Sequence, residues 1–271
     1  MSSGTKSSGG RVFLIGGGWE ETTAGVVHGP FLRAARAARA ARAASEASGS
    51  GSGSAPRILC VIVDEGDGAE QFARYDVALR KAGDCTPVPL LVPIGKRFEV
   101  GAVTEDVDGV FVCGGLTPAY QEALAEASGA LASLLLERGL PYAGFSAGAA
   151  LAPRDAVVGG WLANGVAVCP PDTAEDLDEI EIRPGLGLVP FGVENHAAQW
   201  GTLGRLAAVV AGGRLAHGVA IDENTLVEVG GDGAEGRARV AGRGRAHSVR
   251  PAPGGGVLVR SYGDGESFPV N

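Results

Sequence analysis

The sequence predicts an α/β fold: a mainly parallel central sheet with helices on both faces, in three layers. Three observations predict it. Short runs that are apolar throughout, such as "RILCVIV" at 57–63, alternate with stretches of helical character. Such runs mark strands buried on both faces of a parallel sheet. Glycine clusters close three of the runs, at Gly16–Gly18, Gly114–Gly115 and Gly144–Gly148. Ligands in sheets of this kind bind beyond the carboxyl ends of the strands. Finally, 271 residues of which 45% are hydrophobic can bury one substantial core. The chain is therefore read as a single domain over 1–271.

The elements follow in order. "RVFLIGGG" is a strand running into the first glycine loop. "PFLRAARAARAARAA" carries good helix formers, with Arg33, Arg36, Arg39 and Arg42 at every third position. "SEASGSGSGSAP" has the composition of a flexible linker. These two stretches are read as a low-complexity insertion over 34–56, its helix solvated. "RILCVIV" is the next strand, and residues 68–83 form a helix ending near Gly83. "TPVPLLV" is a strand whose prolines do not suit a central position. "VDGVFVCGG" is another, and 118–138 read as one long amphipathic helix between Pro118 and Gly139. "PYAGF" leads into the turn at Ser146. From about residue 224 the pattern changes to strands and turns, "TLVEVGGDGAEGRARV" and "GGGVLVRSY", expected as a small antiparallel extension.

Charge and cysteine usage narrow the function. A net charge of −8 disfavours wholesale binding to nucleic acid or to an anionic membrane. No apolar run reaches the roughly 20 residues of a membrane span. "MSSGTKSSGG" lacks the apolar core of a secretory signal, so a cytoplasmic location is expected. Cys60, Cys85, Cys113 and Cys169 are widely spread without metal-ligand spacing, so reduced thiols and no metal are expected.

The chemistry centres on "LPYAGFSAGAALA", where Ser146 stands between Gly144 and Gly148 as a strand turns into a helix. With 45 glycines in the chain the G-x-S-x-G pattern alone has little weight. Its context carries more. A strained strand-to-helix turn lifts the hydroxyl above the sheet edge, and the flanking glycines avoid clashes. The Ala147 N–H would point at an acyl oxyanion, and Gly115 in the neighbouring loop could supply a second donor. A serine needs a base. Of the four histidines, His196 and His28 fall at plausible strand exits, whereas His217 precedes a strand and His247 lies in the C-terminal strands. The base needs an orienting acceptor, and Asp222 and Glu223 both stand at the end of an apolar strand.

Five segments in order, "LIGGGWE", "VFVCGGLTPAYQEAL", "YAGFSAGAALA", "GLGLVPFGVENHAAQWGTLGRL" and "HGVAIDENTLVEV", resemble motifs of the dipeptidase E and cyanophycinase family of serine peptidases. The resemblance spans residues 11 to about 229 apart from the insertion. It implies a class I glutamine amidotransferase-like fold with serine in place of cysteine. It implies Ser146 as nucleophile, His196 as general base, Glu223 as the acid orienting it, and the N–H groups of Gly115 and Ala147 as oxyanion hole. It places Arg205, Thr117 and Trp200 on the substrate side, with Arg205 able to pair with a substrate carboxylate. The implied reaction is hydrolysis of a short aspartyl-containing peptide through an acyl-enzyme, without metal or organic cofactor. A homodimer is compatible with it. The chain departs from the pattern at Leu116-Thr117, at Glu194-Asn195 before and Ala197 after the histidine, and at Trp200 and Thr202, where cyanophycinases place arginines. The alternatives are hydrolysis of another amide or ester on the same triad, or a binding protein of the same fold. A glutaminase is disfavoured, because Cys113 and Cys169 lie outside the turn.

Overall fold

The computed structural model describes residues 10–45, 54–230 and 236–271. The Gly-Ser stretch of the expected linker and most of the turn at 231–236 lie outside the described residues. The strands are β1 Val12–Ile15, β2 Arg57–Asp64, β3 Thr86–Pro93, β4 Gly109–Val112, β5 Tyr142–Phe145, β6 Asp155–Gly159, β7 Leu162–Ala163, β8 Val166–Ala167, β9 Glu181–Pro184, β10 Gly192–Asn195, β11 Gly218–Ile221, β12 Thr225–Val229, β13 Arg237–Gly242, β14 Ala246–Pro251, β15 Val257–Tyr262 and β16 Ser267–Pro269. The helices are α1 Ala24–Val27, α2 Gly29–Ser45, α3 Gly68–Ala82, α4 Thr117–Leu124, α5 Ser128–Glu137, α6 Ala147–Ala150, α7 Ala197–Trp200 and α8 Leu203–Ala211.

The central sheet has the order β16-β13-β12-β1-β5-β4-β2-β3. Its pairs from β1 to β3 are parallel, and those from β1 to β16 are antiparallel. Side-chain alternation splits each strand between two cores. Phe13 and Ile15 pack with Phe31, Leu32, Tyr75 and Leu79 of α2 and α3. Val12 and Leu14 share a cluster with residues of α4, α5 and α6. β3, with its prolines, lies at the sheet edge, where a missing N–H costs no ladder bond.

Three expectations are corrected. The antiparallel extension is divided between two sheets. β12, β13 and β16 complete the central one, while β14 and β15 join β10 and β11 in a second, four-stranded sheet. The helix expected over 118–138 breaks into α4 and α5. At the break the Phe98 N–H takes the Ala123 carbonyl, and the Ser128 hydroxyl donates to the Ala125 carbonyl. Both compete with continuing helical bonds.

The third correction concerns the Arg-Ala repeat, which is no solvated appendage. α2 lies on the central sheet, burying Phe31, Leu32, Ala34 and Ala35. A three-residue repeat drifts about 60° per step around a helix, so the arginines do not form a straight stripe. Arg33 and Arg36 face solvent. Arg42 arrives opposite Arg33, on the side of Phe31 and Ala35. There Arg39 and Arg42 pair with Asp108, which is 0% exposed and also accepts the Arg57 N–H at 2.8 Å.

Candidate active site

Three glycine-bearing turns meet at the carboxyl ends of β1, β4 and β5. At the end of β5 the chain reverses into α6 through Ser146, whose φ of 50° and ψ of −113° are sparsely populated by L-residues. The flanking glycines are required by close approach. A Cβ at Gly144 would overlap the Gly148 carbonyl, and one at Gly148 would overlap the Val112 carbonyl. The turn is tied down by the Ser146 N–H donating to the Ile15 carbonyl at 2.9 Å and the Asn195 side-chain amide donating to the Ser146 carbonyl at 2.8 Å.

The Ser146 hydroxyl lies 2.8 Å from His196 Nε2, and His196 Nδ1 lies 2.8 Å from Glu223 Oε1. These three side chains thus form one hydrogen-bonded row. The histidine comes from the end of β10 and the glutamate from the end of β11, both in the second sheet. His196 adopts the left-handed conformation, φ 53° and ψ 35°, and its N–H donates to the Gly16 carbonyl. A Cβ at Gly17 would overlap the imidazole, so the first glycine loop is what makes room for the ring. Trp200 stacks on the ring at 3.8 Å between centroids, with 9° between planes. Burial lowers the His196 pKa, and the hydrogen bond and charge of Glu223 oppose that shift. The ring is therefore neutral near pH 7 and able to accept a proton.

Asp222, next to Glu223, faces elsewhere. Its carboxylate accepts the N–H groups of Ala198 at 3.0 Å and Arg245 at 2.8 Å and lies 3.3 Å from His247. Burial would raise its pKa, but the His247 and backbone hydrogen bonds prevail and lower it. His28 lies far from this role, against the rings of Phe111 and Phe145.

The loop after β4 is fixed by two buried tyrosines: the Gly114 N–H donates to the Tyr75 hydroxyl at 2.7 Å, and the Tyr120 hydroxyl donates to the Gly114 carbonyl at 3.0 Å. A Cβ at Gly114 would lie 3.0 Å from the Ser146 Cβ, so this loop abuts the serine. Gly115 follows it and lines the cleft. Ala147 opens α6, where a helix leaves its first N–H groups free of internal acceptors. Among the described residues neither the Gly115 nor the Ala147 N–H has an acceptor.

The residues expected on the substrate side divide. Trp200 lines the cleft and is 42% exposed. Thr117 is buried, and its N–H donates to the Glu175 carboxylate at 2.8 Å. Arg205 is 4% exposed and its guanidinium is consumed internally. It holds Glu194 at 2.7 and 2.9 Å and the carbonyls of Gly160 and Thr173 at 3.0 and 2.7 Å. Burial would lower its pKa; the adjacent Glu194 carboxylate outweighs that and raises it. The expectation that Arg205 meets a substrate carboxylate is therefore corrected. It braces Glu194, two residues before His196, because the two charges neutralise one another in a dry site.

Several contributors carried no sequence signal of their own. Gln199, whose side-chain oxygen accepts the Glu223 N–H at 2.9 Å, is one example. Another is Glu175, whose pKa is raised mainly by burial. The cleft holds about 940 Å³. Its lining includes the carboxylates Glu65, Asp67, Asp172, Glu175, Asp176 and Asp178 against one guanidinium, Arg74. Among the described residues no group of three or more His, Cys, Asp or Glu could hold a metal ion, and no helix is long and apolar enough to cross a membrane.

No protein-family model matches the sequence, and no curated protein matches it. Among solved structures, the chain is similar to a Listeria monocytogenes EGD-e protein assigned provisionally to peptidase E. The identity is 13% and the TM-score 0.49, over 86% of this chain and 98% of that one.

Proposed function

We propose that the chain is a serine hydrolase that cleaves an amide bond of short peptides through an acyl-enzyme on Ser146. The observation that carries this reading is the unbroken row Ser146–His196–Glu223 at 2.8 Å per link. His196 Nε2 takes the hydroxyl proton as Oγ attacks the carbonyl carbon. The oxyanion is received by the N–H groups of Gly115 and Ala147, each such donor being worth about 10²–10³ in rate. The imidazolium, stabilised by Glu223, then gives its proton to the departing amine. Water, deprotonated by the same nitrogen, hydrolyses the ester and regenerates the serine. The fold type, glutamine amidotransferase-like, and the serine-peptidase class are those implied by the motif resemblance. The one-domain organisation belongs to the same reading.

The substrate is better read as cationic than as aspartyl. The carboxylates of the cleft outnumber its one arginine, and Arg205 is sequestered. An aspartyl carboxylate there would be repelled, whereas a lysyl or arginyl side chain or a free amine would be attracted. A fluorophosphonate probe tests the chemistry: wild type should be labelled and Ser146→Ala should not. Equal labelling of both would refute it. A panel of Asp-X, Lys-X and Arg-X dipeptides then tests the charge preference.

A further inference from the structure

His196 and Trp200 stand four residues apart in "HAAQW", the spacing that makes side chains neighbours on a helix. α7 supplies that geometry, with the Trp200 N–H donating to the His196 carbonyl at 2.8 Å. Gly201 ends the helix at φ 71°, a conformation that suits glycine. Two side-chain bonds anchor α7. The Ala198 N–H donates to the Asp222 carboxylate at 3.0 Å, and the Gln199 side-chain oxygen accepts the Glu223 N–H at 2.9 Å. The backbone carrying the indole is thus fixed to the strand end that carries Glu223.

The indole and imidazole planes are 9° apart with centroids at 3.8 Å. The ring's two nitrogens face Ser146 and Glu223, and Trp200 covers a face that this row leaves free. A neutral imidazole gains dispersion from such a contact. An imidazolium also gains attraction to the negative face of the indole, the strongest of the aromatic side chains in this respect. The contact therefore strengthens once His196 has taken the serine proton, and interactions that strengthen toward the transition state are those that accelerate a reaction.

Other charged groups around the ring have their own partners. Glu194 of β10 favours the protonated ring and is held by Arg205. Asp222 turns to Ala198, Arg245 and His247. Glu20, beyond the first glycine loop, pairs with Arg243. The cleft adds the carboxylates Glu65, Asp67, Asp172, Glu175, Asp176 and Asp178, and Arg74, which lies over Trp19 at 4.4 Å. α6, on the serine side, carries no charge.

We propose that Trp200 is a positioning residue that stabilises the His196 imidazolium formed when Ser146 gives up its proton. Glu223 supports the cation at one edge of the ring, and the indole supports it on one face. Both oppose the effect of burial, which lowers the His196 pKa. Trp200 is 42% exposed, so its effect belongs in the middle of the range for such contacts, about half to one pH unit on the histidine. The catalytic consequence rests on the hydrolase reading; the effect on protonation of the ring does not.

A tryptophan fluorinated on its benzo ring, inserted at position 200 alone, keeps the shape and the cover while weakening the negative face. Nuclear magnetic resonance titration of the histidine-labelled full chain follows His196, identified by the signal lost in His196→Gln. In the fluorinated protein His196 should titrate about half to one pH unit below wild type, and in Trp200→Phe, with its weaker π-face, between the two. The rate of labelling by a fluorophosphonate probe, measured against pH, should show the same lowered acidic limb and a plateau about 3–10-fold slower. A His196 midpoint that is unmoved or raised by fluorination would overturn the proposal, even if labelling slows at every pH, because packing alone would do that. A lowered midpoint with an unchanged plateau would overturn the catalytic consequence. If wild type is not labelled at all, the hydrolase reading fails while the titration still decides the stack.

Discussion

Replacing Arg205 by Met separates a structural arginine from a substrate-binding one. The guanidinium makes two bonds to Glu194 and two to backbone carbonyls, with both charged side chains less than 10% exposed. Met keeps much of the volume but leaves the carboxylate with the Asn195 N–H at 3.2 Å. Stranding one partner of a buried pair costs about 3–5 kcal/mol, and the two abandoned carbonyls add to this. A loss of about 5 kcal/mol is thus expected, at least a third of a typical domain's stability. Denaturant unfolding of wild type and variant measures it directly. The double variant Glu194→Leu/Arg205→Met removes both charges, and it should recover more than half of the loss. An Arg205→Met variant within 1 kcal/mol of wild type, its defect confined to a raised KM for anionic substrates, would refute the buried brace. It would return Arg205 to the substrate.

The remaining predictions use the same geometry. Glu223→Gln should lower kcat by about 10²–10⁴ with little loss of stability, while Asp222→Asn should leave kcat nearly intact and cost about 1 kcal/mol or more through weakened backbone bonds; the reverse pattern would mean that the triad acid is misassigned. Deleting residues 34–45 should lower Tm sharply, since Ala34 and Ala35 leave the core and Asp108 loses both arginines; an unchanged Tm would show α2 to be dispensable. The acidic limb of kcat/KM should fall below pH 6.5, because the active form of His196 is neutral and its pKa is lowered; a limb at or above 6.5 contradicts the buried base. Stability should be full above pH 6.5 and decline as pH falls toward 4, because the unfolded chain takes protons that buried His28, with a pKa of about 4, resists. The loss is about 3 kcal/mol for His28, and unfolding of His28→Phe against pH should show a flatter slope.

The sequence by itself determined most of the local structure. Continuous apolar runs marked β2, β4 and β5, and the prolines of "TPVPLLV" matched an edge strand, because burial on two faces and loss of an N–H leave local traces. The glycines around Ser146 were legible for a similar reason: only residues without Cβ allow α6 to return so close to β4 and β5. The family resemblance, not the pattern, singled out His196 and Glu223 before the fold brought them to Ser146. What the tertiary structure decided were matters of partnership. Composition could not distinguish a solvated Arg-Ala helix from α2, since its repeat drifts around the axis and meets Asp108 only in three dimensions. Arg205 looked available for a substrate because its partner, Glu194, is eleven residues away and pairs with it only where β10 packs under α8. Gly17 looked like part of an ordinary glycine loop, and only the position of the His196 ring explains why a side chain has no room there. Periodicity and turn chemistry are encoded along the chain; pairing of charges and vacancy for a ring depend on which segments the sheets bring side by side.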